Sequence, residues 1–273
     1  MKIINKMRNR ILILSLLFFV TQILYSQDMK ITYDMKYKED SLSKETTTRK
    51  MLLLIHEGQS KFYTEKQYEV DSLRATGFKG FAVGDSDFYV IRNKKDITSK
   101  YYFKLRDVYK VTVSQALNWR IENQVEKKFG FACQKATLYH KGRHWEAWFT
   151  QEIPLLEGPY IFKGLPGLIV YMKDSTGSYE FSFAGLKKNF YPMDFENISP
   201  QPLEVSEDNL KKISLDYYND PFREMKSGNV KAKVRDQKGN EIEPDFREMT
   251  KNVQSYLKKN NNPIELSDAI KYP

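Results

Sequence analysis

The sequence predicts a β-rich α+β fold: a single antiparallel sheet curved into a half-barrel or partly open barrel, with helices in the C-terminal third. Three observations predict it. From Ile31 onward, apolar and polar residues alternate in short runs broken by turn residues, which is the period of half-buried strands. One hairpin is explicit: Ala132 to His140 runs into Lys141-Gly142 and returns over Arg143 to Thr150, two aromatic-rich runs about a short glycine turn. Beyond about residue 203 the apolar spacing changes from two to three and four, the stripe of an amphipathic helix.

The elements follow in order. Ile31, Tyr33, Met35 and Tyr37 point one way, with Lys30, Thr32, Asp34, Lys36 and Lys38 opposite. Met51 to His56 is a continuous apolar run, and Phe88 to Ile91 is bounded by Asp85-Ser86-Asp87 and Asn93. Tyr101 to Leu105 and Tyr109 to Val113 come next, and then Leu117, Trp119 and Ile121 alternate with Asn118, Arg120 and Glu122. On the return strand of the hairpin, Trp145, Ala147 and Phe149 share one face and Trp148 lies on the other. Large aromatics on both faces predict a strand covered on both sides. Leu168 to Met172 and Tyr179 to Phe183 pair across Asp174 to Gly177. Leu210, Ile213 and Tyr217 predict a helix behind the cap Ser206. Phe246, Met249, Val253 and Tyr256-Leu257 predict another after Pro244, stopped at Asn260 to Pro263, and Val230 to Val234 reads as a short strand.

Residues 1–26 read as a secretory signal peptide rather than as part of the domain, which is expected over 27–273. Lys2, Lys6, Arg8 and Arg10 precede the apolar stretch Ile11 to Val20, and Leu24-Tyr25-Ser26 ends on a small residue. That apolar stretch is short for a membrane span, so no stable span is expected once the leader is removed. The 273-residue chain has a net charge of +9. Loss of the four basic leader residues leaves about +5. Short basic blocks beside turns do not gather on one face, which argues against nucleic acid as a partner. The expected location is therefore the periplasm or cell envelope, or outside the cell.

The chain has one cysteine, Cys133, so no internal disulfide can staple it. Its neighbours Phe131, Ala132 and Ala136 mark it as a buried thiol. Burial must then hold the fold, and an aromatic content of 14% supplies the surface. No nucleophile elbow, zinc-binding helix motif, phosphate loop or dinucleotide fingerprint is present. His140, His144 and Glu146 could be drawn as a metal site, but they read as polar residues at an exposed turn. Glu152 and Glu157 bracket Ile153-Pro154 and read as a solvated loop face. No catalytic residue, metal or cofactor is assigned, and a hydrolase built on these groups ranks behind a non-enzymatic role.

The strongest signal is Gly164-Leu165-Pro166-Gly167-Leu168-Ile169, set in the run Trp148 to Lys163 with its bends at Ile153-Pro154 and Gly158-Pro159. Glycine permits unusual backbone angles and proline removes a donor, so the chain bends sharply inside an apolar stretch. That stretch is either a buried loop closing one edge of the sheet or the wall of a concave apolar surface. On the second reading Trp145, Trp148, Phe149, Tyr160, Phe162, Leu165 and Pro166 line a site for an apolar small molecule, a lipid or a peptide. A partnership with an outer-membrane import or other envelope complex is the alternative.

These residues resemble the GLPGLI family of secreted or periplasmic Bacteroidetes proteins. The likeness extends to Trp119-Arg120-Ile121, to Gly130 to Thr137, to Gly142 to Thr150, to Glu152-Ile153-Pro154, to Gly158 to Lys163 and to Asn262 to Leu266. It implies an envelope origin. It implies no activity and no catalytic residues, because that family is functionally uncharacterised.

Overall fold

A computed structural model of the chain describes residues 28–77, 88–93, 97–104, 107–114, 116–188, 190, 195, 198, 200–229, 234–235 and 240–273. The expected leader, and the expected strand at Val230 to Val234 apart from its last residue, lie outside these residues.

Twelve strands form one open sheet, antiparallel throughout except for one short parallel pair. In chain order they are β1 (Met29–Tyr37), β2 (Thr47–His56), β3 (Gln59–Thr64), β4 (Phe88–Arg92), β5 (Thr98–Lys104), β6 (Asp107–Val113), β7 (Arg120–Lys128), β8 (Phe131–His140), β9 (Arg143–Thr150), β10 (Leu168–Asp174), β11 (Tyr179–Lys188) and β12 (Leu203–Glu204). The spatial order is β12-β6-β5-β4-β3-β2-β1-β11-β10-β9-β8-β7. Two meanders, β2 to β6 and β7 to β11, therefore meet at β1. Its strict alternation makes it the central strand, with Ile31, Tyr33 and Met35 all buried. A two-stranded ribbon joins β13 (Val234–Arg235) to β14 (Glu241–Ile242).

The sheet curls. Two strands, β9 and β10, lie between β8 and β11, so a flat sheet would hold them about 14 Å from each other. Yet the Phe131 and Phe183 rings meet with centroids 5.8 Å apart. The sheet does not close, because β7 and β12 remain as its two ends. The expectation of a curved sheet with helices mainly in the C-terminal third is met.

Apolar packing occupies both faces. The larger core joins Tyr33, Met35, Met51 and Leu53 to Trp145, Phe149, Phe162 and Phe181. A second core gathers Leu52, Leu54, Tyr63, Tyr89 and Val108 with Phe190 and Phe195. Neighbours on β2 thus enter opposite cores, which is why Met51 to Leu54 shows no alternation.

The helices are α1 (Glu65–Ala75), α2 (Glu207–Asn219), α3 (Arg223–Lys226) and α4 (Phe246–Lys259), with a 3₁₀ turn at Leu266–Asp268. The expected cap at Ser206 accepts from the Asn209 amide. Among the elements not expected from the pattern are β3 and α1. The start of α1 carries Thr64 and Gln67 at the spacing of a capping box, and the Thr64 hydroxyl accepts from the Gln67 amide at 3.2 Å. The helix buries only Gln67 and Val70, so it has no apolar stripe to betray it. Strand β7 begins at Arg120 and runs on to Lys128, beyond the alternation that ends at Glu122.

Candidate functional site: an aromatic kink, an outer groove and an ionic seam

The glycine-proline segment lies inside the larger core. Trp145, Trp148, Phe149, Tyr160, Phe162 and Leu165 are all buried, and Pro166 is exposed. Trp145 and Phe162 rings stand 4.8 Å apart, and Tyr160 contacts both Phe162 and Phe88. Gly167 has φ +151°, and a Cβ there would sit 2.1 Å from the Thr150 carbonyl oxygen. The backbone of the segment and that of β9 approach too closely for any side chain at this position. Gly158 is confined likewise, with Ile169 Cδ1 and the Phe162 carbonyl oxygen each 2.7 Å from where its Cβ would be.

A buried guanidinium holds the bend. Arg92 donates to the carbonyls of Tyr160 at 2.6 Å and Gly158 at 3.2 Å, and to the Ser60 hydroxyl at 2.8 Å. Glu157 completes its shell at 2.6 Å. Tyr160 has a φ of +55°, a strained angle for a tyrosine that this clamp and the surrounding rings maintain. Glu157, expected on a solvated loop face, is instead the counter-ion of a buried arginine. Glu152 accepts from the Ala132 amide at 2.7 Å. Trp148, on the opposite side of β9 from Trp145, is covered by the Lys128 ammonium 4.4 Å above its ring. Cys133 is fully buried, as expected, and burial raises its thiol pKa.

Outside this core a groove of about 520 Å³ opens beside β7, β8, β9 and the end of β10. Asn118, Arg120, Tyr139, His144, Trp145 and Lys173 are among its lining residues. Tyr139 is 64% exposed and lies against the His144 ring at 4.7 Å. Glu146 shares its charge between Lys135 at 3.1 Å and Lys173 at 3.8 Å. Of the seven expected site residues, only Trp145 borders this groove.

A second hollow, about 350 Å³, is lined by Thr98 and Lys100 of β5, Leu117, His140 and Lys141 of the hairpin, Lys163 and Glu265. Beside it lies a seam of buried charge. The Lys100 ammonium is 2.6 Å from Glu265, 3.2 Å from Glu207 and 3.7 Å from Asp268. Lys141 reaches Glu207 at 2.5 Å and Glu265 at 3.0 Å. Burial alone would push the Glu265 carboxyl up. The His140 ring, the Lys100 ammonium and Asp268 outweigh it and hold Glu265 well below the usual carboxylate range. Burial would likewise lower Lys100, but Tyr102, Glu265 and Asp268 raise it above the ordinary lysine range. Burial raises Tyr102 to about 12 and, together with the neighbouring Glu265, raises Asp268.

His140 departs from expectation. It is buried rather than part of an exposed turn, and its Nε2 lies 3.6 Å from Glu265. His144 faces Tyr139 instead, so the pair does not converge with Glu146 on a metal. Glu207, Glu265 and Asp268 do have the spacing of metal donors. However, each already has both lysine ammoniums nearby. A divalent cation would have to displace two positive charges, one of them fully buried, and the donor set does not favour it.

Arg143 ties the same C-terminal segment down from the other side. It donates to the carbonyls of Ile264 at 2.9 Å and Pro263 at 2.8 Å, to Asn262 Oδ1 at 2.5 Å and to Asp174 at 2.9 Å. Arg92, Arg143, Lys100 and Glu265 escaped the sequence reading. Only Arg143-His144 beside the hairpin turn and Asn262 to Leu266 among the resembling segments pointed toward them.

A family model described as a protein of unknown function (Porph_ging) matches residues 92–171. That span starts at Arg92 and contains Gly164 to Ile169. No curated protein matches the chain. Among solved structures, PNGF-II in two crystal forms superposes with a TM-score of 0.51 at 16% identity. The superposition covers 69% of this chain and 32% or 33% of the PNGF-II chains. The chain thus spans about a third of PNGF-II's length, and the likeness is one of fold. Among the described residues no helix is long and apolar enough to cross a membrane.

Proposed function

We propose that this protein is an exported, non-enzymatic binding module of the cell envelope that takes a peptide in the groove beside β7 to β10. The observation that carries the reading is the make-up of that groove. An exposed Tyr139 ring, braced on His144, stands among the cations Arg120 and Lys173 and the amide of Asn118. A ring to rest a side chain on, polar groups for peptide bonds and cations for a carboxylate are the requirements of peptide recognition. The volume is within the range of ligand sites. The basic and apolar character of residues 1–26 supports export.

The titrating groups support a binding role over a catalytic one. A general base or a nucleophilic lysine needs a pKa moved toward neutrality. Here Lys100 is held more firmly protonated and Glu265 more firmly ionised, which is the behaviour of structural ion pairs. The aromatic residues Trp148, Phe149, Tyr160, Phe162 and Leu165 support the groove from within as packed core rather than as its lining. An apolar small molecule or lipid would find little unpacked space among them.

The test is a titration followed by tryptophan fluorescence, which Trp145 at the groove wall should report. The probes are a pool of acidic tetrapeptides and an amidated, uncharged pool of matched composition. Saturable binding of the acidic pool is expected, weakened about tenfold or more by Arg120→Gln, as for loss of a charge-assisted contact. Equal behaviour of the two pools, or an Arg120→Gln protein that binds like the parent, would remove the reading.

A further inference from the structure

We infer that two copies of this chain pair through strand β7, edge to edge and antiparallel, about a two-fold axis at Val125. Among the described residues strand β7 is the last strand of the sheet on its side, so no described strand neighbours its outer backbone groups. Such an edge is a template for another strand. Two large apolar residues stand out on it. Ile121 is 46% exposed and Val125 62%, four residues apart. Ile121 pairs with Ala136 and Val125 with Gln134, so the two point to the same face of the sheet.

The self-complementarity is in the register. Edge pairing about a two-fold axis places residue i opposite the partner's residue j with the same sum for every pair. With Val125 at the axis, Val125 meets the partner's Val125. Glu122 meets the partner's Lys128, Asn123 meets the partner's Lys127, and Gln124 meets the partner's Glu126. Opposed residues are apolar with apolar, or acid with base, or charged with neutral. A shift of the axis by one residue in either direction sets Glu122 against the partner's Glu126, or Glu126 against itself, and like charges directly opposite are destabilising. A slip is therefore opposed on charge.

The edge is also guarded. The β8 ladder passes from Ile121 directly to Val125 and skips Glu122, Asn123 and Gln124. A bulge and a dense set of charges are the means by which edges avoid indiscriminate pairing. Here they leave the middle of β7 poorly engaged by β8 and admit the register in which the charges alternate in sign. The pairing itself does not depend on the groove having a ligand.

The test is the mass of the protein in solution by sedimentation equilibrium across a concentration series, with four variants. The parent is expected to dimerise. Val125→Lys puts two ammoniums face to face at the axis and should raise the dissociation constant by about tenfold or more. Glu122→Lys and Lys128→Glu should each weaken the dimer, since by symmetry every mismatch occurs twice. The double variant E122K/K128E should restore it. Within one chain Glu122 touches Lys135 and Thr137, and Lys128 touches Glu126. The double variant disrupts both sets of contacts, so only pairing between chains predicts restoration. A monomeric parent overturns the inference. So does a dimer indifferent to Val125→Lys, or a double variant no better than the singles; either would place the contact elsewhere.

Discussion

Two irregular segments lie against the same sheet, and they are secured by different means. Residues 158–169 turn through the aromatic core, and residues 262–268 cross the end of the hairpin. Each offers backbone carbonyls that no strand can satisfy, and each receives a buried arginine that does so: Arg92 at Gly158 and Tyr160, Arg143 at Pro263 and Ile264. A planar fork with five donors suits a chain that has left the sheet. Beyond this the two diverge. The first segment fits because glycine removes atoms where backbones approach. The second is bound by charge, through Lys100 and Lys141 on Glu265. Close packing tolerates no added atom, whereas an ionic seam tolerates atoms and responds to pH.

The sharpest way to break this contrast is to add one methyl group at each of two glycines of the first segment. Gly167→Ala forces a Cβ to within 2.1 Å of the Thr150 oxygen, and neither backbone can yield without dismantling β9 and β10. A loss of about 4 kcal/mol or more is expected, at the extreme for single substitutions. Gly164 has φ +92° but nothing within 4 Å of a Cβ. Gly164→Ala should therefore cost only the backbone strain, about 1–2 kcal/mol. Urea unfolding of the two variants checks the pair, and equal losses would contradict the account of Gly167 as a close-approach position.

The two arginines sharpen it next. Replacing either by Met leaves a carboxylate without its partner, a change expected to cost about 3–5 kcal/mol for a buried pair. The partners differ in access to water: the Asp174 side chain is fully buried, whereas Glu157 retains 20% exposure and can turn outward. Arg143→Met should thus lose more stability than Arg92→Met. Adding Asp174→Asn should recover part of the loss in the Arg143 background. No recovery would mean that the carbonyl bonds to 263 and 264, not the carboxylate, dominate that site.

The same contrast explains what could be read from the sequence. Hydrophobic periodicity is local, so β1, the hairpin β8–β9 and the helices α2 and α4 were legible from their own residues. The kink was legible as well, because glycine and proline mark a bend wherever they stand. Its setting was open between a buried loop and the wall of a hollow, and in the structure Phe162 packs on Trp145. The seam was illegible for a physical reason. Lys100 and Glu265 are far apart in the chain, and a lysine destined for burial has the same letter as a solvated one. Reading His140 as part of an exposed turn failed likewise: residues 262–268 cover His140 and Arg143, while Gly142 and His144 stay exposed. Helix α1 was missed because its capping box, not its polar surface, announces it.

The smallest effect concerns acid. In the folded protein Glu265 titrates far below its ordinary value of 4.5, so its contribution is fully present above that value and is lost as pH falls beneath it. Asp268 acts in the opposite sense, because its pKa is raised above 3.8, and protonation relieves rather than costs. Glu265 makes the shorter ion pairs to Lys100 and Lys141, so the net change on acidification is destabilising. It should amount to no more than about 1.4 kcal/mol per pH unit. Glu265→Gln removes the titration but leaves the volume. The stability difference between parent and variant should therefore be widest near pH 7 and shrink between pH 4.5 and 3, measured by urea unfolding. The corresponding difference for Gly167→Ala should stay level over that range, since no proton is bound or released at a close backbone contact. If the Glu265→Gln difference were equally level, Glu265 would be holding the C-terminal segment by shape rather than by charge, and the contrast between the two segments would dissolve.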